Sequence, residues 1–205
     1  AVSLHPDFTY VLIEGPLSRL VVAEDLAAAC AARYGLGEPV VLGRCAGRAL
    51  EGQQLQHPFL ERTVPVVLGD HVTVDAGTGA VHTAPAHGQE DFEVGKHYDL
   101  PVDNPVAGNG VYCEGTPLFE GQHVFKANDA IVEVLKERGT LLHNEAYRHS
   151  YPHCWRHKTP VIFRATPQWF VSMHQAGLLN DAKAAIKDVQ WVPDWGQARI
   201  EAMLA

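Results

Sequence analysis

The sequence predicts an α+β protein: a β-barrel-like domain with a few peripheral helices, followed by a mixed connecting segment. Three observations carry this expectation. Short β-like runs recur, each punctuated by Gly, Pro or Asp, which suits a barrel or a strongly curved sheet. Helical stretches interrupt those runs at residues 24–35, 87–98 and 128–139. From about residue 146 the composition changes, and His, Arg, Trp and Pro concentrate.

Taken in order, "TYVLI" (9–13) and "RLVVA" (19–23) read as strands joined across the turn-rich "EGPLS". "EDLAAACAARYG" follows as a helix. Glu24 and Asp25 favour its positive end, alanine fills it, and Gly35 suits the position just past its last turn. "VVLG", "VPVVLG" and "HVTVDAG" continue the β-like runs. "GAVHTA" then alternates like a strand, Pro85 ends it, and "HGQEDFEVGKHY" starts a helix with Glu90 and Asp91 in its first turn. In "NDAIVEVLKERG" (128–139), Ile131, Val134 and Leu135 share one face, Asn128 can cap and Gly139 can terminate. The intervening "NPVAGNGVYCEGTPLFEGQ" is loop-rich. After "YRHSYPHCWRHKTPVIFRATPQWFVSM" come an amphipathic stretch near 181–187, "WVPDWG" and a final helix "QARIEAMLA". These shifts put a boundary near residue 148, with residues 149–205 as a connecting or partner-docking segment.

Of the 205 residues, 46% are hydrophobic and 20% charged, enough apolar material for a real core. A net charge of -8 argues against a general nucleic-acid binder while leaving room for a local basic face. Cys30, Cys45, Cys113 and Cys154 are irregularly spaced with no C-x-x-C pair, so a reducing cytoplasm fits better than a disulfide framework. No apolar run is long enough to span a bilayer, and no membrane association is expected. The chain opens on Ala1 and enters a strand almost at once, as a piece of something larger would.

"GTGAVHTAPAHGQEDFEVGKHYDL" (77–100) is the stretch richest in chemistry. His82, His87 and Asp91 are the right residue types for a divalent metal, although His-x4-His across a proline-ended strand is not a recognised metal spacing. The competing reading is a surface turn with satisfied polar groups. A carboxylate in a first helical turn faces unpaired N–H groups and the positive end of the dipole, so Asp91 should stay ionised. That suits it to hold an ammonium group and makes it a poor general acid. The same charge also suffices merely to stabilise its own helix. "GTGA" lacks the spacing of a phosphate loop and reads as a tight turn.

Further on, Cys154-x-x-His157 is half of a zinc site with no partner pair in this chain. Arg148, Arg156 and Lys158 interleave with Tyr151 and Trp155. This is a pattern that can hold a nucleic-acid strand, with cations on phosphate and rings on bases. A solvated face packed on another domain accounts for it equally well.

Together "DAGTGAVHTAPAHGQEDF", "HVFKANDAIVEVL", "HSYPHCWRHKTPVIFRATPQWFVSM" and "WGQARIEAMLA" resemble the bacterial isoleucyl-tRNA synthetase family, along essentially the whole chain. Valyl- and leucyl-tRNA synthetases share the "GTGAV…PAH…DF" frame, but "VHTAPAHG" and "SYPHCWRHKTP" look like the isoleucyl version. The resemblance implies the editing (connective peptide) insertion plus the segment leading back to the catalytic core. One methylene supplies only ~1–3 kcal/mol of discrimination, and this family is the standard illustration of that limit and of the second, hydrolytic site that overcomes it. The implied activity is hydrolysis of valine misattached to the isoleucine tRNA. By the family pattern, Asp91 anchors the α-ammonium and His82 lies at the pocket wall as a side-chain sieve, while His87 and Glu90 have weaker claims. The implied partners are the acceptor end of the isoleucine tRNA and the remainder of the synthetase chain. ATP and magnesium belong to the parent enzyme, zinc is bound by some members, and no cofactor is expected in this segment. In the family a threonine-rich strand precedes the segment that begins here and forms one pocket wall. Two alternatives therefore stay open: a catalytically silent module docking tRNA or the core, and a metal-dependent hydrolase.

Overall fold

The structure is a computed structural model that describes every residue except 16–18 and 147. Among the described residues the order is β1 (Val2–Leu4), β2 (Thr9–Glu14), β3 (Arg19–Ala23), α1 (Ala27–Arg33), β4 (Val41–Ala46), β5 (Gln54–Gln56), β6 (Thr63–Leu68), β7 (Ala80–His82), α2 (Gln89–His97) and α3 (Val124–Glu137). These belong to one unit, residues 1–165; a second, residues 166–205, holds α4 (Leu178–Ala185) and α5 (Gly196–Met203). The α+β expectation holds.

The strands form two open sheets, ordered β5-β6-β1-β7 and β3-β2-β4. In the first, β1 runs parallel to β6 and antiparallel to β7. Val2 is paired with Val66 on one side and His82 on the other. In the second, β2 is central and pairs antiparallel with both neighbours; its register against β4 shifts between Leu12 and Ile13. The turn-rich connection expected between β2 and β3 lies partly outside the described residues, at 16–18.

The core joins Tyr10, Val11 and Ile13 of β2 to Leu4, Val22, Ala23, Leu26, Ala27, Cys30 and Val66. Burying each branched side chain contributes about 1.5–3 kcal/mol. Helix α1 presents Ala27, Cys30 and Ala31 inward, the i, i+3, i+4 spacing of one helical face. Gly35 lies just past α1 with φ +70°, and Leu36 N–H donates to Ala31 O at 2.9 Å, so the expected stop is there.

Two local expectations need correction, and a third is refined. "HVTVDAG" is not a strand: residues 71–79 run as turns and bends, and Val72 turns back so that its N–H donates to Gly69 O at 3.3 Å. Val72 is buried there without any ladder, so its apolar pattern reflects packing and not pairing. Helix α3 starts four residues before Asn128, and its cap is His123, whose side chain accepts from Phe125 N–H. Phe125 and Ala127 continue the apolar pattern upstream, which draws the helix start with them; Gly139, φ +67°, ends it as expected. The loop-rich 104–122 stretch carries isolated bridges, Val106 to Tyr112 and Val111 to His123, around buried Val106 and Phe119.

In the second unit the amphipathic stretch is α4, and the final helix is α5. Trp191 Nε1–H donates to Ile186 O at 3.1 Å, and Trp169, Phe170 and Val171 stand almost fully exposed. No helix among the described residues is long and apolar enough to cross a membrane.

Candidate functional site at the β7–α2 turn

Strand β7 ends at His82 because the next residues are committed elsewhere. Thr83 is buried, with its hydroxyl 2.5 Å from the buried Ser3 hydroxyl, and Pro85 cannot extend the ladder. The chain then turns, with His87 N–H donating to Ala84 O at 2.9 Å, and α2 begins after Gly88. Glu90 and Asp91 occupy its first turn, as the residue order requires.

Asp91 folds its carboxylate back over the helix start. A Cβ at Gly88 would meet Asp91 Oδ2 at 2.8 Å, so only glycine leaves this space free. The carboxylate therefore sits half-buried beside unpaired N–H groups, where a fixed negative charge is stabilised.

His82 makes no side-chain hydrogen bond among the described residues, and its ring keeps solvent contact despite the protein atoms crowded around it. That crowding lowers its pKa below the ordinary histidine value; the Ala1 ammonium, and after it Arg62 and His87, add to the effect, and Asp91 opposes it. Solvent access means the shift represents little stability. His82 closes β7 and Asp91 lies in the first turn of α2, at the two ends of one short connection.

His87 is turned to a different task. Its Nδ1 is 3.0 Å from Phe163 O; a carbonyl can only accept, so the proton is on Nδ1. Ala165 N–H donates to Ala86 O at 2.7 Å, so residues 163–165 lie along the outside of the turn. Glu90 is exposed. Among the described residues no three His, Cys, Asp or Glu side chains converge to hold a metal ion.

Two neighbours escaped the sequence reading. His57 and Arg62 bracket the β5–β6 turn, and Arg62 lowers the pKa of both His57 and His82, in each case after burial. "HPF" offered a turn signal at Pro58, but nothing in the order of residues pointed to His82. A cavity of about 510 Å³ is elsewhere: Glu51, Asp70, Glu93, His97 and Tyr98 line it, and neither His82 nor Asp91 does.

Of the other predicted residues, those from 154 to 158 share one turn. Arg156 lies 4.6 Å from the Trp155 ring centroid, and Trp155 is 73% exposed. Cys154 Sγ is 3.3 Å from His157 Nδ1, so the half-site pair is in contact. Lys158 N–H closes the turn onto Cys154 O at 2.8 Å, and Arg148 is exposed.

The chain is similar to known proteins in sequence and in fold. The family described as "Leucyl-tRNA synthetase, editing domain" matches residues 46–135, which include the β7–α2 turn. The crystal structure of GlLeuRS-CP1 shares the fold, with TM-score 0.54 over 71% of this chain and 78% of that one at 15% identity. The matched segment is similar to an aminoacyl-tRNA synthetase editing domain, and the fold is shared with one. Isoleucine–tRNA ligases of Alkalilimnicola ehrlichii and Vibrio cholerae are each 62% identical to the chain, and that of Pseudoalteromonas atlantica 58%, over its whole length. The chain belongs to the isoleucyl-tRNA synthetase family, as an editing-domain segment spanning 22% of those relatives.

Proposed function

We propose that the β7–α2 site hydrolyses valine misattached to the isoleucine tRNA within a full-length synthetase. The observation that carries this is the Asp91 carboxylate, placed in the first turn of α2 and folded back over Gly88, on the connection that begins at His82. The free α-ammonium distinguishes an aminoacyl ester from an ordinary ester, and a fixed carboxylate is the group that selects it. His82, open and unpartnered, stands beside that anchor as the wall meeting the side chain. Proton transfer is assigned to neither. The terminal ribose hydroxyl and backbone N–H groups are the candidates for activating water and holding the oxyanion.

The remaining assignments belong to the same proposal. Residues 1–148 carry the editing function and 149–205 lead back towards a catalytic core. Arg148, Arg156, Lys158 and Trp155 contact tRNA. The open sheets are parts of a barrel-like whole completed by the parent chain. ATP and magnesium serve the parent in the cytoplasm, with zinc at Cys154 and His157 only if another segment supplies ligands.

Single-turnover deacylation by a full-length parent enzyme tests the reading. Asp91→Ala is expected to slow valyl-tRNA hydrolysis roughly ten- to a hundredfold, the worth of a hydrogen bond to a charged group. His82→Ala is expected to admit correctly charged isoleucyl-tRNA to hydrolysis. Equal loss of both activities in the His82 variant would contradict the sieve.

A further inference from the structure

The β5–β6 turn leaves the sheet at the same end as the β7–α2 turn. Val66, Val2 and His82 are in register across β6, β1 and β7. Moving backwards along β6 from Val66 and forwards along β7 from His82 leads to one sheet end, because β1 is parallel to β6 and antiparallel to β7. Residues 57–62 and 83–88 therefore leave the sheet at the same end, with the start of β1 between them.

The turn is built to hold its shape. His57 Nδ1 accepts from Phe59 N–H at 3.3 Å and Leu60 N–H at 3.1 Å. His57 N–H donates to Arg62 O at 2.9 Å, and Gln56 Nε2 donates to the same oxygen at 3.1 Å. Phe59 packs edge-on against the buried Phe119, with ring centroids 5.8 Å apart. The Arg62 backbone is thus fixed from two directions, while its guanidinium has no acidic partner or hydrogen bond among the described residues. In a chain of net charge -8, an unpaired arginine on a rigid turn next to the site is placed for an anion.

We propose that Arg62 binds a backbone phosphate of the 3′-terminal nucleotides of the tRNA, with His57 as the positioning residue that fixes its turn. This rests on the editing reading above and adds the nucleic-acid side of the same site. Asp91 and His82 address the amino acid; Arg62 addresses the strand carrying it. A guanidinium on phosphate raises affinity without touching the reacting ester, so its loss is read in binding and not in the chemical step.

The test uses a full-length parent enzyme and two substrates, valyl-tRNA and the valyl ester of adenosine, which has no phosphate. Arg62→Gln is expected to raise the half-saturating valyl-tRNA concentration roughly three- to tenfold at an unchanged plateau rate. The slope of log affinity against log salt should fall by about 0.7, one single-strand phosphate contact. Hydrolysis of the adenosine ester should not change. His57→Ala should share the affinity loss, and His57→Asn, whose side chain can accept the same turn N–H groups, should restore it. An Arg62→Gln enzyme matching its parent in half-saturation and salt slope would overturn the phosphate contact, as would a fall confined to the plateau rate. A parent enzyme silent on valyl-tRNA would instead remove the editing reading and this contact with it.

Discussion

Ser3 Oγ and Thr83 Oγ1 lie 2.5 Å apart, both buried, joining β1 to the residue that follows His82. The sequence separates them by 80 residues, and their hydroxyls give the site end of β7 a fixed partner. Thr83 Oγ1 also reaches Val81 O at 3.4 Å. Thr83→Val should therefore cost about 1–3 kcal/mol, the desolvation of a Ser3 hydroxyl left without its partner. Adding Ser3→Ala should recover part of that loss. Urea denaturation of the single and double variants measures the coupling, and strictly additive losses would show that the pair has none.

Tyr10 links the two sheets by the same logic. Its hydroxyl donates to Gly79 O at 2.6 Å and accepts from His5 N–H at 2.9 Å. Tyr10→Phe keeps the packing but orphans both backbone groups, so about 1–3 kcal/mol should be lost. Gly79→Ala should do at least as much harm, since φ is +76° and the new methyl would meet Ala23 Cβ at 2.4 Å. Thermal unfolding of the two variants against the parent chain checks both expectations.

Gly88→Ala separates the Asp91 charge from the fold. The backbone there is extended, at φ -165° and ψ 153°, so alanine brings no conformational strain. Its methyl would stand 2.8 Å from Asp91 Oδ2, the movable end of a side chain. Stability should change by less than about 1 kcal/mol while the carboxylate is displaced, and valyl-tRNA hydrolysis in a full-length enzyme should fall severalfold. Full activity in a well-folded Gly88→Ala enzyme would mean that the position of the carboxylate is unimportant.

The two histidines facing Arg62 set a pH dependence. Burial first, and then Arg62, lowers His57 below the ordinary value of 6.5; burial first lowers His82 as well. The unfolded chain then takes up these protons before the folded one. Their contribution is fully present above about pH 6.5 and is lost as pH falls through the folded values. Melting temperature should decline below that pH, and less steeply in His57→Gln. The solvent-exposed His82 should matter less. Histidine proton resonances titrating with midpoints above 6.5 for both rings would contradict this.

Local order in the chain announced much of this molecule. Alternation in "TYVLI", the small inward face of "AAACAA" and glycines beyond two helices are nearest-neighbour signals, and β2, α1 and the end of α3 follow them. Asp91 was legible for the same reason, since a carboxylate three residues past Gly88 meets its own helix dipole wherever α2 packs. His123 was not legible as a cap: it took its place because buried Ala127 carries α3 further upstream than Asn128 suggested.

What the sequence by itself determined are β2, β3, α1 and the end of α3, the place of Asp91 in the first turn of α2, and the spacing that sets Cys154 one turn from His157. Tertiary structure alone decided that β1 lies between β6 and β7, that "HVTVDAG" packs without pairing, and that Arg62 and His82 share one end of the sheet. Residues 163–165 settled along the β7–α2 turn in the same way. Periodicity and capping are written between residues a few positions apart. The partners that bury an apolar side chain or satisfy a backbone N–H are chosen across tens of residues, where the order of the chain carries no local mark.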